Sequence, residues 1–364
     1  MKDTMEAYWH WLCSSLAGEP SLLWRLIGQY KTPRDIFYAK EEELTARFPR
    51  NPKAITGLCE KRKGWEFERE WESLRRKGVV FISCEHPAYP RRLSVIPQKP
   101  GGLFVRGGQP EDASPSIAIV GARVCSPYGK SAALWFGREL ARAGVQIVSG
   151  MAAGIDGFGH QGAFEGGGKT FGVLGGGVDI CYPEFHRDLY MKLEREGGLL
   201  SEYPPGTRPM RHLFPLRNRI ISGLADAIII IEAKEKSGSL ITADLALEQG
   251  KDVYAVPGRL EDPLSAGCNN LIRQGSGIAL FPEQILEEMG ITPKFGEQNR
   301  KCRKIVLEKA EDIVYSCLGL QAKNPEELSL ESGLTLTEVL RTLTGLELKG
   351  YAKEIYKNNY IRVL

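Results

Sequence analysis

The chain has 364 residues, 42% of them apolar and 26% charged, with a formal net charge of +3 at pH 7. That balance is ordinary for a globular protein of two or three domains, and it excludes a uniformly basic surface, so any nucleic-acid-binding face must be local. Eight scattered cysteines form no C-x-x-C pair and no histidine stands at zinc-finger spacing, which excludes a finger-type metal site and suits a reducing compartment.

The N-terminal segment MKDTMEAYWHWLCSSLAGEP carries charges and His10 where a secretion signal needs an apolar core. No run of about 18 apolar residues, the length of a spanning helix, occurs in the sequence. A cytoplasmic protein without a membrane partner is the expectation. Residues 1–82 read as a helical domain. Leu22, Leu23, Leu26 and Ile27 recur at helical spacing, and Phe67, Trp71 and Leu74 do so within the charged segment 60–77. Five of the six tryptophans fall in residues 1–78, as filling for a small core.

Residues 83–116 are rich in Pro and Gly, with short strands expected at 79–82 and 103–106, and open a second domain over 83–291. From 117 onward, short apolar strands end in glycine and alternate with helical segments. They are IAIVG (117–121), VQIVSG (145–150), TFGVLGGG (170–177), AIIIIEA (227–233) and DVYAVPG (252–258). Such alternation defines an α/β fold with a Rossmann-like, mostly parallel sheet core. Residues 292–303 are polar and read as a linker. Over 304–364, helix, turn, helix and the alternating ribbon YAKEIYKNNYIRVL spell a winged-helix domain. Six Lys or Arg are balanced by six Glu over 320–364, unlike the basic recognition helix of a duplex binder.

Glycine at the end of a parallel strand lets a ligand approach, and the next helix N-terminus offers free N–H groups to an anion. Gly121-Ala122-Arg123, Gly150 to Asp156, Gly175-Gly176-Gly177 and Ser237-Gly238-Ser239 are turns of this kind. A doubly wound sheet gathers them along one crevice. The most distinctive run is RHLFPLRNRIISG (211–223). Four arginines fall between Arg208 and Arg219, no Asp or Glu occurs between Glu202 and Asp226, and Phe214 sits inside. Guanidinium groups serve phosphates and an aromatic face serves a base; a solvated surface helix is the plainer alternative. The sequence holds no Walker A loop, no G-x-G-x-x-G after the first strand and no G-x-S-x-G elbow. Asp156, Asp179, Glu202 and Glu232 lie near strand tips, either as acid–base groups or as caps and partners for nearby arginines. His160, four residues after Asp156, reads as structural.

The ordered series VGAR (120–123), SGMAAGID (149–156), GVLGGGVDICYP (172–183), SEYPPG (201–206), FPLRNRIISGLA (214–225), IEAKEKSGSLITA (231–243), VPG (256–258) and GCNNLIRQG (267–275) resembles the DprA/Smf family of DNA-processing proteins. The likeness extends upstream into YPRRLSVIPQKPGGLFVRG (89–107) and downstream into LELKG.

The resemblance implies a single-stranded DNA-binding protein that protects incoming DNA and loads the RecA recombinase onto it in natural transformation. It implies a homodimer through the Rossmann-like domain, a SAM-like or helix-hairpin-helix-like domain in front, and a winged helix behind. No enzymatic activity, metal or cofactor is implied. Carried over residue by residue, the DNA site comprises Gly121 and Arg123, then Phe214, Arg217, Asn218 and Arg219. Ser237, Gly238, Ser239, Thr242 and Asn269 complete it. In this reading Arg123, Arg217 and Arg219 hold phosphates and Phe214 stacks a base. Only Asn218 and Asn269 are candidates for reading a base edge, so weak sequence preference is expected. The chain departs from the family pattern at Ala153, where an arginine is common, at Cys268, where a threonine is usual, and at Ser276, where an alanine is common. The rival readings are a nucleotide hydrolase or phosphoribohydrolase using Glu232 or Asp179, and a transcription regulator acting through the winged helix.

Overall fold

A strand covered on both sides carries apolar residues at successive positions rather than alternate ones. In the computed structural model, which describes residues 4–291, 309–319 and 322–362, such segments form the middle of a nine-stranded sheet. Its strands are β1 (Val80–Ser83), β2 (Gly102–Gly107), β3 (Ser116–Val120), β4 (Gln146–Ser149), β5 (Thr170–Val173), β6 (Gly198–Ser201), β7 (Ala227–Ile230), β8 (Asp252–Ala255) and β9 (Gly277–Ile278). They lie in the order β1-β2-β6-β5-β4-β3-β7-β8-β9. Every pair from β6 across to β9 is parallel, and β2 and β1 add antiparallel at one edge.

In β3, Ile117 and Ile119 pack on one face while Ala118 and Val120 pack on the other; β7 divides Ala227 and Ile229 from Ile228 and Ile230 in the same way. Each fully buried isoleucine is worth roughly 1.5–3 kcal/mol. The helices Pro127–Arg142 and Ile155–Glu165 cover the Ile117 face. They cross at glycines: a Cβ on Gly137 would lie 2.5 Å from the Gly159 carbonyl oxygen, and one on Gly162 would lie 2.3 Å from that of Leu134.

Six N-terminal helices run from Met5–Ser15 to Phe67–Arg76. Trp9, Trp11, Leu12 and Leu26 share one core with Phe81 of β1 and Phe104 of β2. The helical segment shares this core with the sheet and falls in the first of two compact units, Met1–Lys294 and Phe295–Leu364. His10 sits in the first core with its pKa pushed down to about 3, by burial and then by the charge of Lys61.

In the second unit, helices Lys309–Cys317, Pro325–Ser332 and Leu336–Leu348 pack around Val314, Leu328, Val339 and Leu343. Strands β10 (Ala352–Tyr356) and β11 (Asn359–Arg362) pair antiparallel behind them. Capping boxes at Asn324/Glu327 and Thr335/Glu338 start the last two helices, and Gly333 ends the first of those with φ 71°, a left-handed angle that glycine adopts at little cost. This is the winged-helix order expected from the sequence. The expected linker, 292–303, lies outside the described residues.

Candidate nucleic-acid interface

Where the winding of a doubly wound sheet reverses, neighbouring loops diverge and leave a crevice outside the carboxyl ends of the strands. Here β4, β5 and β6 follow β3 on one side while β7 and β8 lie on the other, so the reversal falls between β3 and β7. The chain leaves β3 through Gly121 and Arg123, and leaves β7 through Lys234 and Lys236 to the helix Gly238–Glu248. Between these exits lies a cavity of about 720 Å³. The helix Leu213–Leu224 forms another wall. Its residues Phe214, Arg217, Asn218 and Ile221 recur at intervals of three and four, and this one stripe lines the cavity.

Phe214 is half-buried and lies against Gly175, where a Cβ would come within 2.8 Å of the ring. The exposed Arg123 sets its guanidinium carbon 5.2 Å from the Phe214 ring centroid, and Arg217 sets its own at 5.8 Å. Both distances are within cation–π range. Tyr182 stands 5.7 Å from the same ring, inclined by 38°.

Nine of the eleven expected residues line the cavity; Arg219 and Asn269 do not. Arg219 points into the protein, where Nη2 donates to both carboxylate oxygens of Glu202 at 2.7 Å. It is a buried ion pair, not a phosphate contact. Asn269 brackets Gly258, donating to its carbonyl at 3.1 Å and accepting from its N–H at 3.2 Å. Arg217 lines the cavity but is only 3% exposed. Its Nη1 donates to the Gly150 carbonyl at 2.6 Å and to the Val173 carbonyl, tying together the tips of β4 and β5. Burial pushes its pKa down to about 10, against the pull of Asp156, which leaves it a cation at neutral pH. The phosphate role expected of Arg217 therefore gives way to a positioning role beneath Phe214.

Gly121 lines the cavity and also serves helix packing. A Cβ there would lie 2.8 Å from the Ile155 side chain, so helix packing demands the glycine. The Ser237 hydroxyl caps the Gly238–Glu248 helix, accepting from Ser239 N at 3.4 Å and contacting the Ser239 hydroxyl at 2.8 Å. Asn218 donates weakly to the Gly238 carbonyl at 3.4 Å. Three exposed cations absent from the expected set, Arg211, Lys234 and Lys236, line the cavity. Their signal was present: Arg211 opens the arginine run, and the two lysines precede Ser237.

The four strand-tip carboxylates are all engaged. Glu232 accepts from Ser126 N at 2.9 Å and from its hydroxyl, which holds the start of the helix Pro127–Arg142. Asp179 accepts from Lys77 Nζ at 2.8 Å and Gly206 N at 2.7 Å. Asp156 accepts from Gly150 N and Ala152 N at 3.1 and 3.3 Å, and burial raises its pKa despite Arg217. Glu202 holds Arg219. His160 pairs with Thr170 at 2.6 Å rather than with Asp156. Among the described residues, no three His, Cys, Asp or Glu side chains converge on a metal position, and no helix is long and apolar enough to cross a membrane.

A Rossmann-like core with a cation-rimmed, aromatic crevice at its switch point, followed by a winged-helix unit, places the chain among α/β proteins that carry a nucleic-acid-type accessory fold. The family profile of DNA recombination-mediator protein A matches residues 80–290, and that of the DprA winged helix domain matches 304–354. The chain belongs to the DprA family of DNA-processing proteins. It is 43% identical to DNA processing protein DprA of Bacillus subtilis over 60% of this chain and 73% of that one. It is 35% identical to protein Smf of Escherichia coli over 83% of this chain and 82% of that one. The X-ray structure of DNA processing protein A from Streptococcus pneumoniae superposes with a TM-score of 0.66, at 32% identity over 79% of this chain and 99% of that one. A Helicobacter pylori DNA processing protein A structure, described for its single-stranded DNA binding mode, gives 0.52 at 28% identity over 58% and 95%.

Proposed function

We propose that this protein binds single-stranded DNA in the β3/β7 crevice, protects it, and passes it to RecA. It acts in the cytoplasm, as a homodimer through the Rossmann-like domain and without hydrolysing a nucleotide. The observation that carries the reading is Phe214, a half-exposed ring with the Arg123 guanidinium over it, inside a crevice rimmed by Arg211, Lys234 and Lys236. A base stacks on such a ring at a gain of roughly 1–3 kcal/mol, whatever its identity. The rim cations face phosphates without fixing a sequence. The likeness to a relative described as binding single-stranded DNA supports the same reading. The hydrolase reading needs an uncommitted carboxylate, and each candidate for that role is already hydrogen-bonded to the fold.

The test is titration of fluorescent poly-dT and of the matching duplex against salt, for the wild type and an Arg123→Ala, Phe214→Ala double variant. Tight, salt-dependent, strand-selective binding that the double variant loses is the expected result. Equal binding to duplex, or none, overturns the reading. RecA delivery is read by adding RecA to strands coated with single-strand binding protein and following filament growth with and without this protein.

A further inference from the structure

A second cavity, of about 180 Å³, adjoins the crevice, and Arg123, Ala152 and Phe214 line both. Its remaining walls are apolar: two aromatic rings, the aliphatic Leu174 and Ile180, two prolines, and the small Gly150, Ala153, Gly175 and Gly176. Tyr182 and Phe185 stand at it with 49% and 74% of their surfaces exposed, an unusual position for two large rings in water. The Phe185 ring sits edge-on to that of its neighbour His186 at 4.7 Å and 82°. The His186 Nδ1 in turn lies 3.3 Å from the Met151 carbonyl. The backbone of Gly175 and Gly176 and the small side chain of Ala153 leave the interior open. Arg123 is the only charged side chain lining it among the described residues, whereas the larger crevice also contains Asp156 and Asp262.

The chemistry of these walls selects the occupant. Aromatic faces and glycine backbone favour a flat, weakly polar ring over a phosphate or an ion. The cavity, about 180 Å³, has a quarter of the volume of the 720 Å³ crevice beside it, a scale that suits a single ring system. Arg123, common to both cavities, stands where a linking phosphate would pass. We propose that this smaller cavity is a base slot. It takes one nucleobase of a single strand, from the nucleotide next to the one stacked on Phe214, while Arg123 holds the phosphate between them. The proposal rests on the single-stranded DNA reading above and extends it to a two-nucleotide step. A duplex has to unpair a base to fill the slot, so the slot itself favours single strands.

The test uses the full chain, a dT oligonucleotide and an equally long tract of abasic sites, which keeps the phosphates and removes the bases. Ala153→Leu fills the slot and Phe185→Ala removes an exposed wall. Each variant is expected to bind the dT strand about tenfold more weakly, the scale of one lost stacking contact. Neither is expected to change affinity for the abasic tract by more than about twofold. Variants that bind dT like the wild type, or that lose equally on both ligands, overturn the slot. Arg123→Ala separates this failure from a failure of the parent reading. If Arg123→Ala weakens both ligands while the slot variants weaken neither, the strand binds in the crevice and the slot is empty. If the wild type binds neither ligand, both proposals fall.

Discussion

Arg217→Met tests whether the buried guanidinium is part of the fold or of the ligand surface. The substitution removes the donor to the Gly150 and Val173 carbonyls and the cation that offsets the buried Asp156. No hydrogen bond joins Arg217 to Asp156, but loss of Arg217 leaves two buried carbonyls without a charged donor and a buried carboxylate without its nearby cation. That costs about 3–5 kcal/mol on the scale of a broken buried charge interaction. In a unit of this size ~1 kcal/mol moves the melting midpoint by about 2–4 °C, so a fall of roughly 6–20 °C is expected. The sign of the pH effect follows from Asp156. Burial raises the folded pKa of Asp156, and loss of the Arg217 charge raises it further, so the folded variant takes up a proton more readily than the unfolded chain. The deficit should therefore shrink as the pH falls toward the raised folded pKa of Asp156. An Asp156→Asn, Arg217→Met double variant should recover part of the loss, because no charge then stays buried alone. Calorimetry gives the midpoints, and poly-dT titration gives the salt slope. Arg123→Ala should show the opposite pattern, an unchanged midpoint and a slope smaller by ~0.7 for one lost single-strand phosphate contact. An Arg217→Met variant that melts with the wild type while its slope falls by ~0.7 would refute the positioning role.

Arg219→Met should cost about 3–5 kcal/mol, because Glu202 is left charged and buried, and should leave the DNA salt slope untouched; urea unfolding and the same titration check both. Gly162→Ala places a methyl 2.3 Å from the Leu134 carbonyl oxygen, so a loss of about 1–3 kcal/mol from overpacking is expected in thermal melts. His10 and His160 are each held near 3, chiefly by burial, against an ordinary ~6.5 in the unfolded chain. The unfolded state takes up more protons in that window, so stability is full above pH ~6.5 and falls as the pH drops toward 3. The slope reaches at most about 1.4 kcal/mol per pH unit for each histidine. Urea midpoints at pH 7 and pH 5 should differ accordingly, and His10→Phe should remove about half of the histidine contribution; an unchanged difference would contradict it. Asn324→Ala in the winged-helix unit should cost ~1 kcal/mol through its lost cap, read by melting.

The parallel strands were legible because burial on both faces writes an uninterrupted apolar run, as in Ile117–Val120 and Ala227–Ile230. β6 was not, because its two leucines follow Gly197-Gly198 immediately behind the helix Arg187–Glu196, and so short a run has no period of its own. The arginine run was visible, but its division between water and core was not. Phe214, Arg217 and Asn218 share a helix stripe, whereas Arg219 is turned toward Glu202. The two acids that bracket the acid-free run are themselves partners of arginines: Glu202 holds Arg219, and Asp226 accepts two bonds from Arg92 at 2.7 and 2.8 Å. Pairings over such sequence distances come from the sheet order, which no local pattern encodes. The N-terminal helices looked self-sufficient because their tryptophans are numerous, yet Trp9 and Trp11 share one core with Phe81 and Phe104 of the sheet.

The rim and the interior divide the cationic work of the crevice between them. Arg217 and Arg219 are already engaged inside, while Arg123, Arg211, Lys234 and Lys236 stand in water before any strand arrives. Each rim contact exchanges a hydrated cation for a paired one, and water can reverse that exchange one side chain at a time. A strand held in this way has no single latch. In the proposed single-strand reading it comes away nucleotide by nucleotide, because each rim contact is broken independently.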